Sequence, residues 1–74
     1  MARFTIAGHG EPYRVRVGSI VHYVDRVPLD AKPDIVREHV TDRGRTSLRP
    51  YVIGVGRHYK TLTAAVAALV KERT

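Results

Sequence analysis

Apolar and polar residues alternate through most of the chain, and the alternation changes to a helical period only near the C-terminus. Residues 3–7, RFTIA, set Phe4 and Ile6 against Thr5 and Ala7, the period of a half-buried strand. The glycines and proline of GHGEP (residues 8–12) form a loop. Residues 13–17, YRVRV, carry the cleanest period: Tyr13, Val15 and Val17 point one way and Arg14 and Arg16 the other. Gly18-Ser19 can be read in two ways. As a type II′ hairpin loop, with glycine supplying the positive φ, it sets Val15 opposite His22 and Arg14 opposite Tyr23. As a bulge, it leaves one bent strand over residues 13–24. The hairpin is the preferred reading.

After the two-proline connection DRVPLDAKPD, residues 35–41 (IVREHVT) are open to strand or helix. A helix would place Asp30, Asp34, Glu38 and Asp42 four apart, where like charges repel, so a strand is expected. TDRGRTS then predicts a type I turn at Asp42-Arg43 with Gly44 left-handed, returning through a strand over YVIGV (residues 51–55) with Pro50 at its start or edge. Leu62, Ala65, Val66, Leu69 and Val70 form one apolar stripe of a C-terminal helix, capped by Thr61 or Thr63. The expected fold is α+β: a small antiparallel sheet of four to five strands covered on one face by that helix.

With 74 residues, the chain makes one compact domain over 1–74. A core of this size supplies roughly 3–5 kcal/mol of stability, so a homodimer would be a natural way to bury more. No cysteine is present, which excludes disulfides and thiolate metal sites. No apolar run approaches the roughly 20 residues of a membrane helix, and the N-terminus lacks a signal-peptide core. The expectation is a cytoplasmic protein without a membrane partner.

Charge changes the picture most. The chain carries 13 Lys and Arg against 7 Asp and Glu, a net charge of +6. Ten of the basic residues are arginine, whose planar fork suits phosphate and carboxylate. The charge is also polarised. Residues 25–42 hold Asp25, Asp30, Asp34, Glu38 and Asp42 against Arg26, Lys32 and Arg37, whereas residues 43–60 hold five cations and no acid. Candidate phosphate contacts are Arg14 and Arg16 on the outer side of a strand, Arg43, Arg45 and Arg49 around a hairpin, and Arg57 and Lys60 before the helix. Tyr23 would lie beside Arg14 in the hairpin reading, a surface on which a base could stack.

Catalytic and metal chemistry find little support. His9, His22, His39 and His58 stand 13, 17 and 19 residues apart, without the local pair typical of zinc sites. No nucleophile motif, carboxylate pair or phosphate loop occurs, so no enzyme and no cofactor are expected. The ending GVGRHYKTLTAAVAALV resembles the close of double-stranded-RNA-binding domains at Gly54, Gly56, Lys60 and Ala64-Ala65. It lacks their tandem lysines and N-terminal helix, so their function is not carried over. The order of strands followed by Y-x-T-x-x-x-A (Tyr59, Thr61, Ala65) is similar to integrase arm-binding and plant AP2-type domains, which implies DNA contact. The expected partner is therefore nucleic acid, with an acidic protein surface as the alternative, an accessory protein that modulates another protein. The acidic segment from Asp25 to Asp42 favours that alternative.

Overall fold

A computed structural model describes residues 3–8, 11–28 and 30–73. Its elements are β1 (Arg3–Ala7), β2 (Tyr13–Val17), β3 (Ile20–Val27), β4 (Ile35–Asp42), β5 (Arg45–Val52), β6 (Arg57–His58) and α1 (Leu62–Arg73). The fold is α+β, but the sheet has six strands in the order β2-β3-β1-β4-β5-β6 and is mixed rather than antiparallel. β1 lies in the middle and pairs in parallel with both β3 and β4. Alternation along a strand specifies its two faces but not its neighbours, so it does not distinguish a parallel centre from an antiparallel one.

The parallel pairs need no long crossover, because β4 starts where β3 stops. Ala7 pairs with Val27 at the top of β1, and Ile35 pairs with Ile6 one step below. From there β4 and β5 run on together, beyond the last residue of β1, as a two-stranded arm. Asp34 anchors its root. Its backbone N–H donates to the Thr5 carbonyl (3.0 Å), and its carboxylate accepts the Thr5 N–H (2.9 Å) and Arg73 (2.6 Å). The carboxylate thus takes the place of a strand carbonyl in the β1–β4 ladder.

Both hairpins are tight. Gly18 has φ +64° and Ser19 does not join it in the positive region, as a II′ loop requires. The observed register pairs Val15 with His22 and Arg14 with Tyr23, matching the hairpin reading of Gly18-Ser19. At the arm's tip both Arg43 (φ 54°) and Gly44 (φ 78°) are left-handed, and Asp42 pairs with Arg45. This is a two-residue type I′ loop, not the expected type I turn. The return strand consequently begins at Arg45 and ends at Val52, and Ile53–Gly56 turn into β6 instead of continuing it. Pro50 is tolerated inside β5 because its carbonyl points toward β6, accepting from the Tyr59 N–H (2.8 Å). Its nitrogen points the same way, so β4 loses no donor.

The core joins Phe4, Ile6, Val15, Val24, Ile35 and Val52 of the sheet to Ala65, Val66 and Leu69 of α1. Leu62 and Val70 of the same helical stripe pack at its rim, with Val17, Val55 and Tyr59. The Thr61 hydroxyl accepts the Ala64 N–H (3.1 Å) and caps α1. The helix touches both β2 and β5. Flat, those strands would stand about 19 Å apart, at about 4.8 Å per strand. A helix of about 10–12 Å diameter reaches both only because the sheet curls around it. The opposite face is left without a covering layer among the described residues.

Candidate nucleic-acid interface

Cross-strand partners share a face, so the register assigns every sheet residue to the helix side or the uncovered side. Val15, His22, Val24, Phe4, Ile6, Ile35 and Val52 mark the helix side. The uncovered side then carries Arg14 opposite Tyr23 and Arg16 opposite Val21 on one flank. On the other flank it carries Asp42 opposite Arg45, Val40 opposite Ser47, Glu38 opposite Arg49, and Val36 opposite Tyr51, with His58 beyond. Four of the sequence-predicted cations, Arg14, Arg16, Arg45 and Arg49, thus belong to one face of one continuous sheet. Arg43 stands at the arm's tip. Arg57 pairs with Val52 and falls on the helix side, and Lys60 sits in the approach to α1, so neither joins that face.

The two flanks are built differently. Arg14 and Arg16 are exposed and, with Val21, line an open depression of ≈ 240 Å³. Beside them the Arg3 guanidinium lies over the Tyr23 ring, 5.6 Å from its centroid, and donates to Asp25 (2.9 Å). On the arm, the Arg49 Nε donates to the Ser47 hydroxyl (3.1 Å). His58 meets Glu38 (Nε2 to Oε1, 2.7 Å) and leans on Tyr51, ring centroids 4.6 Å apart. Arg45, Ser47, Arg49 and Tyr51 recur at every second residue. RTSLRPY carries that period openly in the sequence, and it becomes visible once β5 is allowed to start at Arg45.

The ion pairs change the electrostatics of the acidic segment. Asp25 is held by Arg3, Asp34 by Arg73, and Glu38 by His58. In contrast, no carboxylate among the described residues pairs with Arg14, Arg16, Arg37, Arg43, Arg45 or Arg57, or with Lys60. The acids of residues 25–42 are thus largely engaged within the molecule, while most arginines remain available to an external anion.

The histidines are dispersed. His22 is buried against Phe4 (5.8 Å between ring centroids), His39 is exposed on the arm, and His58 is engaged by Glu38. His9 lies outside the described residues. Among the described residues, no three His, Cys, Asp or Glu side chains converge as a metal site would require. Among the described residues, no helix is long and apolar enough to cross a membrane. Comparison with protein-family models, curated proteins and solved structures finds no match.

Proposed function

We propose that this chain is a small non-enzymatic module that binds nucleic acid on the uncovered face of its sheet. The observation that carries the reading is the register. It sets Arg14, Arg16, Arg45 and Arg49 on one face, with Arg43 at the end of a projecting arm and no carboxylate among the described residues pairing any of them. Arginine forks match phosphate oxygens in geometry as well as charge, and release of condensed counterions supplies the affinity. The engaged state of Asp25, Asp34 and Glu38 weakens the case for a protein partner drawn to an acidic surface.

Fluorescence anisotropy with labelled duplex DNA across a salt series tests this. At about −0.9 per phosphate contact, Arg14, Arg16 and Arg43 alone predict a log-log slope of about −2.7, and all five arginines on phosphate about −4.5. Absence of binding to duplex or single strands at low salt would refute the reading. It would turn attention to the modulating, protein-binding alternative, for which pull-down from nuclease-treated lysate is the assay.

A further inference from the structure

The geometry points to the major groove of B-form duplex DNA as the seat of the β4–β5 arm, with Arg45, Ser47 and Arg49 turned to the base edges. This rests on the nucleic-acid reading above and names the substrate class for the same face.

Shape comes first. From Arg37 to Leu48 nearly every arm residue is exposed, on both faces of the ladder. An unsupported two-stranded hairpin is marginal in water, so an arm of this length gains from a surface that encloses it. The B-form major groove, about 12 Å wide and 8.5 Å deep, admits a two-stranded ribbon. The A-form groove of double-stranded RNA is too narrow and deep for side chains to read.

Spacing comes second. Residues on one face of a strand repeat every ~6.7 Å, at about 3.3–3.4 Å per residue. Base pairs along B-DNA rise about 3.4 Å each. Arg45, Ser47 and Arg49 therefore fall in step with every second base pair, and the two arginines span about four. Arginine presents two donors to the O6 and N7 of guanine, and serine accepts or donates to any base. The Arg49 Nε is already committed to Ser47 at 3.1 Å, which leaves its two terminal nitrogens as the donors to a base.

Charge comes third. Of the sheet carboxylates on this face, Asp25 is paired with the Arg3 guanidinium and Glu38 is hydrogen-bonded to the His58 ring. Asp42 stands opposite Arg45 in the ladder, where it can accept from a cytosine amino group or steady that arginine. The opposite face of the arm carries one arginine, Arg37, with His39, against the two of this face; its Thr41 and Thr46 hydroxyls bond each other at 2.9 Å, and Leu48 is apolar and exposed.

The test is selection from a random duplex pool, followed by binding of the selected site with guanine N7-methylated and as double-stranded RNA of the same sequence. Expected is a site with two guanines about four base pairs apart, binding the DNA duplex at least about tenfold tighter than the RNA. N7 methylation at either guanine weakens binding about tenfold, and Arg45→Ala and Arg49→Ala each relax preference at one of the two positions. Equal or tighter binding to RNA or single strands, or no preferred sequence, overturns the inference. So does a uniform loss of affinity for all sequences in both variants, which marks phosphate contact only. All three outcomes leave nucleic-acid binding itself intact. Failure to bind any nucleic acid overturns that reading and this one together.

Discussion

Replacing Asp34 with alanine should loosen the arm from the body, and the size of the effect can be worked from its contacts. Asp34 Oδ2 accepts the Thr5 N–H at 2.9 Å and faces the Thr5 hydroxyl at 3.3 Å, and Oδ1 accepts Arg73 at 2.6 Å. A hydrogen bond to a charged acceptor contributes about 1.5–3 kcal/mol, and here its loss also strands the Thr5 donor. The hydroxyl contact is long and adds little. The Arg73 side chain is 48% exposed, so screening reduces that pair to about 0–1 kcal/mol. The total is about 1.5–4 kcal/mol. Unfolding entropy of about 2.1 cal/mol/K per residue gives about 0.16 kcal/mol/K for this chain, so Tm should fall by about 9–25 °C. Asp34→Asn keeps one carbonyl for the Thr5 N–H and should lose about half as much. Arg73→Ala should cost only about 1 kcal/mol, the exposed pair together with its stacking on Phe4. Thermal unfolding followed by circular dichroism reads all three. A melting temperature for Asp34→Ala within about 3 °C of the parent would refute the role assigned to this carboxylate.

Three further substitutions separate stability from binding. Arg43 holds φ 54° in a type I′ loop that favours asparagine, so Arg43→Asn should gain about 0.5–1 kcal/mol by denaturant unfolding while shallowing the salt slope of binding by about 0.9. Glu38→Gln breaks an exposed pair with His58 and should change stability by less than about 1 kcal/mol. The same change removes an acid from the proposed interface and should tighten binding at low salt, an effect that fades as salt rises. Thr61→Ala removes the cap of α1 and should cost about 1 kcal/mol, or about 6 °C in Tm, with nucleic-acid affinity unchanged because the helix lies on the covered side.

How far the sequence reveals this fold depends on the range of the interaction involved. The β2–β3 hairpin was legible down to its cross-strand pairs, because glycine at a two-residue loop fixes both turn and register locally. The helix was legible because Leu62, Ala65, Val66, Leu69 and Val70 share one stripe, and Thr61 is one residue ahead of it. The place of β1 between β3 and β4 was not legible, since parallel pairing is set by tertiary contacts such as Phe4 on Val24 and Ile6 on Ile35. One local hint existed: Ala7, on the side opposite Phe4 and Ile6, is buried too, as expected of a central strand. β5 was misplaced because proline was expected at a strand's start, while the carbonyl geometry of Pro50 allows it within. That displacement hid the alternation of Arg45, Ser47 and Arg49. Arg14 and Arg16 needed no such correction, as their strand alternates without interruption. Arg57 and Lys60 look similar in composition but lie off the face, a distinction only register can make.

The central claim is that nucleic acid lies on the uncovered face. Amide chemical-shift mapping of the ¹⁵N-labelled protein during titration with a short duplex tests it most directly. The account predicts the largest changes at Arg14, Arg16 and Tyr23 and along the arm at Arg43, Arg45, Ser47 and Arg49, with the exposed residues of α1 from Thr63 to Lys71 unmoved. Changes concentrated on α1, with the β2–β3 flank and the arm silent, would contradict it.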